Sequence, residues 1–405
     1  MQHKVSGRRI AVFLDGTANT PEELEGVSKR DFLTPPPITN VVRLLRGVIT
    51  DERATTKSQV LGYFPGVGTT GSFVTQLRDQ ATGRGVSDIL LDAYRFIAHN
   101  LEWRSETDPT SANRDEVYIF GFSRGAYIAR ALTGFLNFVG LLKKKSLWML
   151  PNFFDAYQDV LFQGRKFDPR VADILAGNVH ANYRSVPVHF LGVWDTVGAL
   201  AFNDKADDER FHNTALTPNV TSAFQALAIH ELRSPFKPVF WTDRAKKEQV
   251  VEQVWFAGAH SNIGGGYSDV GLSQFALDWM AYKATAYGLE LDRDYLKGEI
   301  EGARNVQEMI KYSRNRAHKA DGSTLYSRLE RPIGRLEMDR YYAEQFDQYL
   351  GAAPLLDEMK THWSVQERLG FGPAYLSDEK AFRRLDKKFN GILPIDRKES
   401  LFPYP

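Results

Sequence analysis

Val117-Tyr118-Ile119-Phe120-Gly121-Phe122-Ser123-Arg124-Gly125-Ala126 decides the reading of this chain. Its first four residues are apolar and rich in β-branched and aromatic types, which suit a strand. From Ala126 to Phe138 the apolar residues recur at helical spacing. Between strand and helix stands G-x-S-x-G, the pattern of a sharp turn with a serine held under strain at its apex. Glycines two before and two after the serine give the adjoining backbones room for that turn. A hydroxyl so placed projects above the sheet, and the backbone N–H of Arg124 can face an oxyanion developing there.

Working outward, residues 9–14 form a short β-rich run that stops at Asp15-Gly16-Thr17. Residues 18–40 are polar and proline-rich and read as a loop. Asn40 then reads as the cap of a helix carrying Val41, Leu44, Leu45 and Val48. A strand over 59–64 runs into a glycine-rich segment, and 87–101 has helical spacing. Downstream the pattern predicts a strand over 188–194, a helix over 220–232, a strand over 250–257 and a helix over 272–286. Strands alternating with helices imply an α/β protein with a mostly parallel sheet covered on both faces, and the serine turn narrows this to the α/β-hydrolase fold. The expected organisation is a catalytic domain over 1–290, with cap-like insertions at about 141–185 and 200–218, and a helical C-terminal appendage over 291–405.

A nucleophilic serine needs a base, and the chain has nine histidines. His260 follows a strand and precedes Gly264-Gly265-Gly266, a segment loose enough to present a side chain above the sheet. His99, His189 and His230 fall inside predicted helices or a strand and read as core or surface residues. The acid that orients the base belongs at a strand end between the two, and Asp195 directly follows the strand over 188–194. The order Ser123, Asp195, His260 is that of α/β-hydrolases. A second oxyanion donor is expected from the backbone at Gly16 and Thr17, in the turn after the first strand. Two rival motifs fail. Asp15 lacks the aspartate two residues upstream that a haloacid-dehalogenase-type phosphatase needs, since Phe13 stands there. Gly66-Val67-Gly68-Thr69-Thr70-Gly71 reads as G-x-G-x-x-G, but it has no convincing helix after it, so dinucleotide binding is not supported.

Composition bounds the alternatives. Lys and Arg number 51 against 50 Asp and Glu, a formal charge of +1, which gives no whole-chain attraction to nucleic acid. With no cysteine, disulfides, thiolate metal sites and a cysteine nucleophile are excluded. The first nine residues lack the apolar core of a secretory signal, and no run of eighteen apolar residues is present. The expectation is a soluble protein, cytoplasmic as synthesised, with signal-independent export left open and any membrane contact peripheral. Lys143, Lys144 and Lys145 beside Trp148, Phe153 and Phe154 are the candidate contact; the competing reading packs these apolar residues onto the sheet and leaves the lysines solvated.

Together the motifs resemble the DUF2235 family of α/β-hydrolases, which includes the Tle1-type phospholipase effectors of type VI secretion. The resemblance rests on Val12-Phe13-Leu14-Asp15-Gly16-Thr17, Pro65-Gly66-Val67-Gly68-Thr69, Asp92-Ala93-Tyr94-Arg95-Phe96 and the serine turn. It continues through Gly192-Val193-Trp194-Asp195-Thr196-Val197-Gly198 and Trp255-Phe256-Ala257-Gly258-Ala259-His260-Ser261. It implies a Ser123–Asp195–His260 triad and cleavage of esters, in the best-known members those of phospholipids. The chain departs from the family at Asn262, where an aspartate is usual, and at His230-Glu231, where the family has an Asp-Glu pair. The expected function is hydrolysis of lipid or small carboxylic esters with no metal or organic cofactor. An esterase for soluble esters and a non-catalytic binding protein on the same fold are the alternatives.

Overall fold

Alternation along the first strand sets the layering of the molecule. In the computed structural model, β1 (Arg9–Leu14) sends Ile10, Val12 and Leu14 into one apolar layer and Ala11 and Phe13 into the other. The structure describes residues 7–301, apart from 17–37, 51–52, 55, 67–83, 103–113, 164–180, 184–185, 199–214, 229–230, 232–235, 237, 242–247, 257 and 268–269, together with 359–362 and 395–396. Both layers are filled by helices. Strand β1 leads to α1 (Asn40–Gly47) and β2 (Gln59–Phe64), then α2 (Arg84–Asn100), β3 (Glu116–Phe122) and α3 (Arg124–Val139). There follow β4 (Leu141–Leu142), a 3-10 turn (Lys144–Met149), α4 (Leu150–Gln163), β5 (Ala181–Tyr183), β6 (Val188–Trp194), β7 (Ser222–Ala228) and β8 (Val250–Phe256). Short α5 (His260–Gly264), α6 (Ser273–Ala286), α7 (Arg293–Glu301), β9 (Met359–His362) and β10 (Ile395–Asp396) complete the described elements.

Eight strands form one sheet in the order β10-β9-β8-β7-β6-β3-β1-β2, and every pairing in it is parallel. The chain leaves β1 for one neighbour, β2, then crosses to the other, β3, and continues outward in that direction. Strand order therefore reverses between β1 and β3, and ligand crevices in such sheets open outside the carboxyl ends of the strands at that point. Helices α2, α3 and α4 cover one face, and α1, α5, α6 and α7 the other.

Three expectations are corrected. Residues 222–228, read as helical, form the central strand β7, buried along its whole length. Its sequence Ser-Ala-Phe-Gln-Ala-Leu-Ala favours helix by intrinsic propensity, and burial on both faces removes the alternation that marks a strand. Thr39, not Asn40, caps α1, its hydroxyl accepting from the Val42 N–H. The Asn40 amide instead donates to the carbonyls of Ile263 and Ser273 at 2.8 Å each, tying α1 to the segment after β8. Third, the region read as a helical appendage supplies α7 but also β9 and β10, which extend the sheet beyond β8.

The 141–185 insertion starts where α3 ends. A helix of 16 residues is about 24 Å long, so the 3-10 turn lies at the end of α3 away from Ser123. Leu141, Leu142, Leu150, Phe153 and Phe154 are buried there, as the packing alternative expected, while Lys144 and Lys145 are exposed and Trp148 is 73% exposed. Among the described residues no helix is long and apolar enough to cross a membrane.

Candidate active site

The turn from β3 into α3 holds Ser123 at φ 58°, ψ −123°, a conformation that side chains rarely adopt. Two backbone bonds keep it there: Ser123 N–H donates to the Trp194 carbonyl at 3.1 Å, and its own carbonyl accepts from Tyr127 N–H at 3.2 Å. The flanking glycines are required by contact. A Cβ on Gly121 would sit 2.6 Å from the Gly125 carbonyl oxygen, and one on Gly125 would sit 2.2 Å from that of Leu14. Both obstacles are backbone, so nothing can rotate aside. Gly125→Ala is accordingly expected to destabilise the fold by about 3 kcal/mol, measured by urea unfolding; a stability equal to wild type would refute this account of the turn.

Asp195 directly follows β6 at φ 40°, with its N–H donating to the Ala226 carbonyl at 2.8 Å. Its carboxylate is fully buried. Oδ1 accepts from Ala228 N–H at 3.0 Å, and Oδ2 lies 2.7 Å from Nδ1 of His260. Burial pushes this carboxyl above the usual range and nearby Glu231 adds to that, while the bonds from His260 and Ala228 and the charge of His260 oppose it. Nε2 of His260 lies 2.8 Å from Oγ of Ser123. A carboxylate can only accept, so Nδ1 carries the ring proton and Nε2 is left to accept from the serine hydroxyl. The three residues predicted from separate strand ends therefore meet in one buried hydrogen-bonded line.

The histidine segment is braced by Glu231 and Asn262, outside the triad itself. His260 N–H donates to Oε2 of the buried Glu231 at 3.1 Å. Ala259 N–H donates to Oδ1 of Asn262 at 3.1 Å. One brace uses Asn262, where the chain departs from the family pattern, and the other uses Glu231, the residue beside the second departure at His230. Asn262 retains the acceptor oxygen that an aspartate would offer, and Glu231 is the acidic member of its pair. Two aromatic rings flank the imidazole, that of Phe122 at 4.6 Å between centroids and that of Phe236 at 4.8 Å. Nothing in a single sequence marks Phe122 beyond its place as the variable residue of the serine motif.

Arg124 heads α3, and its N–H stands at the positive end of that helix dipole. Its side chain is buried, which lowers the guanidinium to about 10. The Gly16 N–H is engaged otherwise than expected: it donates to the Oδ1 of Asp15 at 2.7 Å. Oδ2 of Asp15 accepts from Thr39 Oγ1 at 2.8 Å and from the Tyr63 hydroxyl at 2.9 Å. Thr17 lies outside the described residues, as does His230. His189, set aside as non-catalytic, bonds through Nε2 to the Tyr287 carbonyl at 3.0 Å, away from Ser123.

The family model described as "T6SS, Phospholipase effector Tle1-like, catalytic domain" matches residues 8–283, a span that contains Ser123, Asp195 and His260. The uncharacterized protein YEL023C of Saccharomyces cerevisiae is 26% identical over 250 residues, covering 59% of this chain and 33% of that protein. The solved structure of the Tle1 effector bound to the VgrG spike from the type 6 secretion system is 24% identical. The match covers 66% of this chain and 52% of that one, with a TM-score of 0.38. An uncharacterized protein from Pseudomonas aeruginosa is 18% identical, covering 96% of this chain and 63% of the other, with a TM-score of 0.43. The chain thus spans about a third of the curated relative and about half of the effector structure.

Proposed function

Because the chain belongs to the family of Tle1-like catalytic domains of type VI secretion phospholipase effectors, we propose that it hydrolyses phospholipid esters through an acyl-enzyme on Ser123. The observation that carries the mechanism is the line from Ser123 Oγ through His260 to Asp195, with hydrogen bonds of 2.8 and 2.7 Å. Ser123 Oγ attacks the ester carbonyl carbon as Nε2 of His260 takes the hydroxyl proton, and the carbonyl π pair moves onto oxygen. That oxyanion is held by the Arg124 N–H at the head of α3. When the tetrahedral intermediate collapses, the C–O bond breaks and His260 returns the proton to the leaving alcohol. Water then repeats the sequence on the acyl-enzyme and frees the fatty acid. Asp195 holds the imidazole in the productive tautomer and balances the imidazolium charge throughout.

A fluorophosphonate probe on purified protein tests the nucleophile, and mixed phospholipid vesicles with products identified by mass spectrometry test the substrate. Covalent labelling at Ser123 with release of fatty acid and lysophospholipid is the expected pair of results. Labelling with turnover confined to soluble esters would reassign the substrate, and no labelling would leave a binding protein on this fold.

The lipid reaches the site from the crevice at the carboxyl ends of β1 and β3. In this reading the exposed Trp148 with Lys144 and Lys145, at the end of α3 away from Ser123, plays no part in docking the lipid. Each lysine near an anionic surface is worth about 1 kcal/mol, so reversing three of them would cut vesicle turnover well over tenfold if they docked the enzyme. Replacing Lys143, Lys144 and Lys145 together by Glu is expected to change turnover of anionic vesicles and of a soluble ester equally, by less than about twofold. A selective tenfold loss on vesicles would assign the 141–154 segment to the membrane.

A further inference from the structure

We infer that Phe122 and Phe236 are positioning residues that hold the His260 imidazolium against their π faces during acyl transfer. The inference rests on the hydrolase reading of Ser123, His260 and Asp195.

The geometry of the rings carries it. Phe122 lies 4.6 Å from the imidazole centroid to centroid with 31° between planes, and Phe236 lies 4.8 Å away at 53°. Both distances are inside the roughly 6 Å over which a ring quadrupole attracts a cation. His260 is 3% exposed, so little water remains to solvate a charge on it. The charged groups around it are Asp195 at Nδ1, Glu231 at its backbone N–H, and Arg124, next to Ser123 at the start of α3. The negative face of an aromatic ring is what an aliphatic wall would lack at the moment the proton arrives.

Phe122 is also held for this position. It is the residue before the nucleophile and is 2% exposed. A Cβ on Gly264, at the end of the short helix that His260 begins, would fall 2.0 Å from the Phe122 ring carbons. The bare glycine four residues past the base thus makes the space that the ring before the nucleophile fills. Two motifs that are separate in sequence interlock at the imidazole. Phe236 arrives from the segment between β7 and β8 and is only partly buried, so it tolerates substitution better than Phe122.

Phe236→Leu and Phe236→Met keep apolar volume and remove the quadrupole; Phe236→Tyr keeps both. By pH-stat on a soluble short-chain ester, Leu and Met are expected to lower kcat roughly two- to thirtyfold with KM within about twofold. The acid limb of the kcat/KM profile should move to lower pH, and Tyr should restore both. Thermal melts identify a variant that has lost its fold, in which case the other apolar variant decides. Leu and Met variants with wild-type kcat and an unmoved acid limb overturn the inference, as does a Tyr variant as impaired as they are. If wild type turns over no ester in a Ser123-dependent way, the hydrolase reading falls and takes this inference with it. If wild type is active and the Phe236 variants match it, this inference alone falls.

Discussion

Ser123→Ala is expected to abolish ester turnover and fluorophosphonate labelling while the protein melts within a few degrees of wild type. Only Oγ is removed, and with it the 2.8 Å bond to His260 Nε2. Alanine keeps the Cβ, so it meets the same demand at φ 58° that serine already meets, and Gly121 and Gly125 are untouched. The lost hydrogen bond is worth about 1 kcal/mol, a small fraction of a domain's stability. Catalytically the change is of another order, because serine-hydrolase triads lose about 10⁶-fold in kcat without their nucleophile. Turnover in the purified variant within a hundredfold of wild type would remove Ser123 from the mechanism.

Asp195→Asn is expected to lower kcat by about 10⁴-fold and, at neutral pH, to raise the melting temperature. The two effects share one cause. Asparagine has a single acceptor oxygen, and Ala228 N–H already claims one at 3.0 Å. Its NH₂ then faces Nδ1 of His260 as a donor, so the ring proton moves to Nε2, where it can no longer accept from Ser123. Burial raises the Asp195 carboxyl above its unfolded value, so the folded protein holds that proton to higher pH than the unfolded chain does. The stability this contributes is present below the unfolded value and is lost as pH rises through the folded one. At neutral pH the ionised carboxylate therefore weighs against folding, and a neutral isostere relieves it. Melting of both proteins across pH should show the advantage of the variant shrinking towards the ordinary carboxylate range. A variant less stable than wild type at every pH would contradict the burial argument, and near-full activity would put the orienting role elsewhere.

What could be read from the sequence follows from how locally each feature is determined. Strands β1, β2 and β6 begin and end at the residues expected, because each is a short apolar run closed by a turn signal. The geometry joins Ser123, Asp195 and His260, each of which directly follows or closely trails a recognisable strand. Strand β7 escaped because Ala223, Ala226, Leu227 and Ala228 carry helix-favouring side chains, and only the flanking β6 and β8 determine their conformation. Asn40 has the local look of a cap, whereas its amide works across 223 and 233 residues of sequence. Glu231 belongs to a pair that the family resemblance marks, but its partner, the His260 N–H 29 residues away, is visible only in three dimensions, and Phe236, 24 residues from His260, carries no motif at all. Gly16 was expected to offer its N–H to an oxyanion, but the side chain of its own neighbour, Asp15, holds it.

A wholly parallel sheet also sets when the chemistry becomes available. No hairpin can start it, since each pairing waits for a long crossover, and contacts so distant in sequence make folding slow. Ser123 and His260 are 137 residues apart, and Arg9 at the start of β1 bonds Glu290 across 281. A chain emerging from the ribosome has its nucleophile in hand long before its base, and β1, although first in the chain, cannot form its outermost ties until the segment leading into α7 is near. A nascent or prematurely ended chain that stops short of β8 carries Ser123 without His260, so the proposed hydrolytic capacity is acquired only once β8 and the segment after it are in place.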